Sequence, residues 1–111
     1  MIAKHFFANA LDEFEIQFDR IICAEFYHFS PDENYELICK ALLPQEASSE
    51  QKIRFWNDLE FEFLWGGGEL GATVWLNDGS WLEVNAQNGS DRWIRFSRPP
   101  IPRHLLGTKD E

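Results

Sequence analysis

The chain has 111 residues, of which 44% are hydrophobic and 15% aromatic, so it can bury the core of one domain. Its net charge is −9, and half of its lysines and arginines lie in residues 92–111, so the remainder is strongly acidic. An acidic surface repels phosphate, which disfavours direct binding to nucleic acid. The sequence lacks both a signal peptide and the roughly 20 consecutive apolar residues that span a membrane. We therefore expect a cytoplasmic protein that does not bind membranes.

The first predicted element is a helix over residues 3–14, because apolar residues recur from Phe7 to Phe14 at the spacing of one helix face. A competing pattern covers residues 13–19, which alternate between polar and apolar types as a half-buried strand does. We interpret the helix as ending near residue 14 and being followed by an irregular junction through Arg20.

A β-hairpin is predicted next. Residues 21–29 are rich in β-branched and aromatic side chains, residues 30–34 have the composition of a turn, and residues 35–43 supply the returning strand. Cys23 and Cys39 lie on the two strands of this hairpin. We expect them to be neighbours on paired strands and to remain thiols in a reducing compartment.

A second helix is predicted to begin after Ser48, because Gln51 follows at the spacing of a capping box, and to end near Asp58. Residues 60–65 then alternate acidic with aromatic side chains, which predicts an edge or entry strand with one acidic and one aromatic face. Glycines at 66–68 allow a sharp bend after this segment.

An Asp-Gly pair at 78–79 and an Asn-Gly pair at 88–89 supply the positive φ of tight hairpin turns. Together they predict a three-stranded antiparallel meander over residues 72–97. A two-residue turn at the first pair places Trp75 and Trp81 on opposite faces of the sheet. At least one of these tryptophans is therefore expected to lie on the face away from the helices.

The arginines of the last predicted strand are expected to form ion pairs within the molecule. We predict that Arg92 and Arg95 face strands bearing Glu83 and Glu60 or Glu62, because unlike charges across strands attract.

The element order is α-β-β-α-β-β-β-β. We predict an α+β fold with a single antiparallel sheet of five to six strands and two helices packed on one face. Residues 1–106 form one domain, and residues 107–111 form a frayed tail.

No pattern in the chain predicts an enzyme, a cofactor or a metal site. The histidines are far apart, and the glycine-rich segment 66–71 lacks the lysine and Ser/Thr of a phosphate loop. Cys39 and His28 are the one nucleophile and base that the hairpin brings together, without an oxyanion-stabilising element. Glu60 and Glu62 are neighbours on one strand face instead of facing each other across a cleft.

The C-terminal half resembles small bacterial, plasmid and phage proteins of uncharacterised activity. The shared features are Trp56, a glycine-rich turn, the stretch Asp78-Gly79-Ser80-Trp81-Leu82-Glu83, a second turn at Gly89-Ser90 with Trp93, and then Pro99 and Ile101-Pro102. The resemblance covers about half of the chain, and residues 84–87 depart from the family pattern. It marks a fold and carries over no binding residue.

The acidic, aromatic-rich composition favours a non-enzymatic binding module. We expect a basic partner, in concrete form a nucleic-acid-binding host defence protein that is inhibited in the manner of an anti-CRISPR or anti-restriction protein, by phosphate mimicry. The expected partner-binding residues are Asp58, Glu60, Glu62, Trp65 and Glu69. The alternative is a small-ligand or peptide-binding module that uses the sheet face and the glycine-rich loop.

Overall fold

The computed structural model describes residues 1–30, 36–87, 90–97 and 104. In chain order its elements are helix α1 (Ala3–Glu13), a 3₁₀ turn (Phe18–Arg20), strands β1 (Ile21–Phe29) and β2 (Leu37–Leu43), helix α2 (Ser49–Asp58), and strands β3 (Leu70–Leu76), β4 (Trp81–Gln87) and β5 (Ser90–Phe96). Neither of the described helices has the length and apolar composition that a bilayer span requires. The predicted tail at 107–111 and the Asn-Gly turn at 88–89 lie outside the described residues.

The described strands form one antiparallel sheet in the order β2-β1-β3-β4-β5, and both helices pack on the same face. The fold is therefore α+β, as predicted. The centre of the core consists of Phe7 from α1, Phe26 from β1 and Phe55 from α2, which are fully buried. Along β3, Val74 faces the helices and is buried, whereas its neighbour Trp75 lies on the open face.

Both helix predictions are confirmed. At the start of α2, the Ser48 hydroxyl accepts the Gln51 N–H at 3.1 Å, and the Gln51 side chain accepts the Ser48 N–H at 2.8 Å. Helix α1 ends at Glu13, and the chain reverses at Glu15, whose φ of 55° is left-handed. This reversal buries Ile16 against the core, so the competing strand does not form here.

The predicted edge strand at 60–65 is wrong as a member of the sheet. The segment is extended, but its partner is the N-terminus, which it meets through an isolated antiparallel bridge between Ile2 and Glu62. Backbone hydrogen bonds of 2.9 Å lie on both sides of this bridge. Because residues 1–3 satisfy the segment's backbone groups, it stays outside the five-stranded sheet.

The meander is confirmed, but the predicted register of its first hairpin is wrong. Trp75 lies directly opposite Trp81, so both tryptophans share the open face. The turn contains three residues, because the Gly79 N–H donates to the Leu76 carbonyl and the Leu76 N–H donates to the Ser80 carbonyl. Gly79 adopts the left-handed φ of 88° that such a bulged turn requires. One additional loop residue shifts the pairing and reverses the relative facing of the two rings.

The predicted pairing of the two cysteines is also wrong. Cys39 of β2 lies opposite His28, whereas Cys23 lies opposite Trp75 of β3. The hairpin closes further along the chain than its turn composition indicated, since the Ser30 N–H donates to the carbonyl of residue 36. Both thiols are free and separate.

The Arg95 guanidinium is exposed but makes its polar contacts within the molecule, and not with the acids that were predicted. Its Nη2 donates to Asp78 Oδ2 at 2.8 Å and to Ser80 Oγ at 3.2 Å. Hydrogen bonds from Ser80, followed by the charge of Arg95, lower the pKa of Asp78 below its ordinary value. Arg92 lies opposite Asn85 and makes no ion pair with any residue in the described ranges.

We expect Arg95→Gln to lower the thermal unfolding midpoint at neutral pH, because it removes the donors that hold Asp78 and Ser80. A carboxylate with a depressed pKa stabilises the fold above its unfolded pKa, and that contribution is lost as the pH falls through the folded pKa. The difference between wild type and variant should therefore shrink in acid. Arg92→Gln removes the same charge without this network and serves as the control. Equal midpoints for the two variants would contradict the assignment.

Candidate functional site

The candidate site is the exposed surface of residues 58–65, which we call the acidic segment. It leaves the C-terminal end of α2 and runs beside the N-terminus. The side chains alternate as the sequence predicted: Phe63 is buried and Phe61 packs against the core, whereas Glu60 and Glu62 are exposed. The aromatic side chains therefore anchor the segment, and the acids face solvent.

The charge of the acidic segment remains largely available to a partner. Asp58 is exposed at the end of α2, and Glu62 is exposed in the bridge to the N-terminus. Glu60 accepts a hydrogen bond from Lys4 Nζ at 3.0 Å, but the Glu60 side chain remains 60% exposed. Such solvent-exposed pairs contribute only about 0.2–1 kcal/mol, so a competing cation can replace Lys4 at little cost.

The acidic segment ends in two exposed apolar side chains. Leu64 is 65% and Trp65 is 47% exposed, although both follow the buried Phe63 directly. The chain then turns through Gly66 and Gly68, which both have left-handed φ angles. Tryptophan is among the residue types most enriched at interface hot spots, so the half-exposed Trp65 is the candidate anchor of this surface.

Glu69 does not belong to this surface, which corrects its predicted role. It is 5% exposed, and its Oε1 accepts the Leu64 N–H at 3.2 Å and lies 3.3 Å from His28 Nε2. A buried acid requires hydrogen-bond partners, and Glu69 finds them within the protein. Its carboxylate is therefore not available to a partner molecule. The predicted residues that share the exposed surface are Asp58, Glu60, Glu62 and Trp65.

The partners of Glu69 extend to a thiol. His28 Nδ1 lies 3.9 Å from Cys39 Sγ, and the His28 ring stacks on Phe61 at 4.8 Å between centroids. These are the residue types of a nucleophile, a base and an orienting acid. Burial, followed by the charge of Asp58, raises the pKa of the Cys39 thiol and so disfavours the thiolate that a nucleophile needs. We interpret the group as structural. Among the described residues, no group of three or more His, Cys, Asp or Glu side chains could hold a metal ion.

A cleft that the sequence patterns did not predict opens between α1, the end of the acidic segment and β5. Its volume is about 740 Å³, and its lining residues are Phe6, Asn9, Ala10, Glu13, Phe14, Trp65, Asp91, Arg92 and Trp93. Asp91 is 3% exposed, and its Oδ2 accepts the Gly66 N–H at 2.6 Å. The sequence shows an acid, Asp91, within β5. Only its pairing with Ala86 in the structure shows that it lies on the helix side of the sheet.

A second exposed surface lies on the open face of the sheet. Trp75, Trp81 and Phe96 form a row across β3, β4 and β5, and the rings of Trp81 and Phe96 stack at 5.8 Å. Trp75 is 37% and Phe96 36% exposed. Glu83 accepts a hydrogen bond from Trp81 Nε1 at 2.7 Å, which fixes one ring of the row.

We expect Glu69→Ala to lower the free energy of unfolding by about 1–3 kcal/mol, because the Leu64 N–H and His28 lose their buried partner. The control is Glu62→Ala, which removes an exposed carboxylate of the same type and should cost less than about 0.5 kcal/mol. Urea denaturation of both variants measures the difference. A near-neutral Glu69→Ala would return this carboxylate to the list of candidate partner contacts.

No protein-family model, curated protein or solved structure matches this chain.

Proposed function

We propose that the protein is a non-enzymatic acidic module that binds a basic protein through the acidic segment. One observation carries the proposal: buried Phe63 and partly buried Phe61 fix the backbone, while Glu60 and Glu62 project into solvent from it. The same segment ends in the exposed Trp65. It thus combines a rigid support, exposed carboxylates and an aromatic anchor.

The acids and the tryptophan have separate roles in this proposal. Exposed carboxylates attract a basic surface over distance and raise the association rate in a salt-dependent way. Trp65 contributes most after contact, because a large ring that becomes desolvated at an interface supplies much of the binding free energy. The net charge of −9 extends the attraction beyond the segment.

For the partner, we propose a nucleic-acid-binding host protein of a defence system, in the cytoplasm. The carboxylates would occupy a basic channel that otherwise holds DNA or RNA, which makes the protein an inhibitor of the anti-CRISPR or anti-restriction type.

Affinity capture from a bacterial lysate, followed by mass spectrometry, tests the partner class. A captured nucleic-acid-binding protein should lose its DNA or RNA when this chain is added in a band-shift or anisotropy assay. A captured partner that keeps its nucleic acid would contradict inhibition by phosphate mimicry.

We expect the triple variant Asp58→Asn, Glu60→Gln, Glu62→Gln to fold normally but to bind the captured partner more slowly and with a weaker salt dependence. Each of these acids is exposed, so its neutralisation leaves the core intact. Stopped-flow association rates at several salt concentrations measure the effect. The matched control is Asp19→Asn, Glu46→Gln, Glu50→Gln, which removes the same charge from other exposed positions. Equal rates and salt slopes for the two triple variants would show that the acidic segment is only solubilising surface.

The second candidate function is peptide or ligand binding on the open sheet face. The row of Trp75, Trp81 and Phe96 favours it, because aromatic residues on an uncovered sheet face provide a contact platform. The glycine-rich loop contributes less to this candidate than expected, since Asp91 and Glu69 hold its backbone. Comparing Trp75→Ala with Trp65→Ala against the captured partner separates the two candidates.

A further inference from the structure

The cleft beside α1 contains a buried carboxylate whose hydrogen-bonding capacity is half used. Asp91 Oδ2 accepts the Gly66 N–H, but within the described residues Asp91 Oδ1 has no hydrogen-bond partner. None of the ion pairs in the described ranges includes this side chain. Burying a carboxylate without a cation beside it is energetically unfavourable, and Asp91 is only 3% exposed. A positively charged ligand would therefore stabilise this site.

The aromatic lining of the cleft indicates what kind of cation it would bind. Four aromatic rings line it: Phe6 from α1, Phe14 directly after α1, Trp65 from the acidic segment, and Trp93 from β5. Phe6 lies against Trp93 with ring centroids 5.6 Å apart. Aromatic faces attract organic cations and also contact the apolar stem that carries the charge.

The charged side chains that line the cleft restrict the class of ligand further. Glu13 and Asp91 are acids in the lining, and both disfavour a phosphate or carboxylate ligand. Arg92 opposes a cation, but it is exposed and its pairing with Asn85 directs it to the open face of the sheet. N–H groups on a cation make the charge-assisted hydrogen bonds that a carboxylate accepts most strongly.

We propose that this cleft binds an organic cation that bears N–H donors on an apolar stem, namely an alkylguanidinium or alkylammonium group. The cation pairs with the Asp91 carboxylate, and the rings of Trp65, Phe6 and Phe14 enclose its stem. The group can come from an arginine or lysine side chain of a protein or from a free amine. In its protein form the inference rests on the proposed function and deepens it, because Trp65 then joins the acidic segment to a pocket for one basic side chain of the partner.

The direct test titrates the protein alone with n-butylguanidinium and n-butylammonium and follows the indole N–H signals of Trp65 and Trp93 by NMR. We expect saturable shifts with both cations, and weaker shifts with tetramethylammonium, which has no N–H donor. n-Butanol, with a similar stem but no charge, should give none. Shifts that do not saturate, or no shifts at all, would mean that only an internal water satisfies Asp91 Oδ1 and Trp93 Nε1, and would overturn the proposal.

Two variants assign the binding to the cleft. Asp91→Asn keeps an oxygen that can accept the Gly66 N–H but removes the charge, and it should weaken the affinity for n-butylguanidinium at least about tenfold. Trp65→Ala removes a half-exposed ring that lines the cleft and is not part of the buried core. It therefore tests cation binding even if Asp91→Asn fails to fold. Glu50→Gln changes the net charge equally at a distant exposed position and should bind like wild type. Wild-type affinity in both cleft variants would overturn the proposal.

The same titration separates this inference from the proposed function. The triple variant of the acidic segment should retain affinity for n-butylguanidinium, because Asp58, Glu60 and Glu62 do not line the cleft. Partner association, measured separately with the captured protein, should be slowed by the triple variant and also weakened by Asp91→Asn. Cation binding without any effect of Asp91→Asn on partner association identifies a free amine as the source of the cation.

Discussion

Three phenylalanine rings from three elements meet at the centre of the protein, and the positions of both helices depend on them. Phe26 projects from the middle of the sheet and contacts Phe7 of α1 and Phe55 of α2, with centroids 4.9 and 5.7 Å away. Since all three rings are fully buried, the two helices must share one face of the sheet. The opposite face is left uncovered, which is why the row containing Trp75 is exposed.

The position of α1 also determines how the acidic segment is held. Because Phe7 holds the helix over the sheet, residues 1–4 pass beside the acidic segment and provide its backbone partners. The segment therefore needs no place in the sheet, and its outward acids are not paired across strands.

Two buried carboxylates fix the loop that carries Trp65. Glu69 accepts the Leu64 N–H on one side of the tryptophan, and Asp91 accepts the Gly66 N–H on the other. Both acids are nearly inaccessible to solvent, in contrast to the exposed acids of the acidic segment. The buried acids Glu69 and Asp91 thus hold the loop, whereas the acids of the acidic segment give the surface its negative charge. Asp91 lines the cleft and keeps one buried oxygen, Oδ1, that no described residue uses.

The sequence by itself determined what depends on neighbouring residues: the helices, the capping box at Ser48, the meander and the alternation of acids and aromatics in the acidic segment. These features could be predicted because their hydrogen bonds and periodicities join residues within a few positions. The tertiary structure alone decided the face shared by Trp75 and Trp81, the pairing of the acidic segment with the N-terminus, and the burial of Glu69 and Asp91. Each of these depends on a one-residue change of register or on contacts between distant parts of the chain. Composition cannot reveal either, because exposed and buried carboxylates are the same residues until packing distinguishes them.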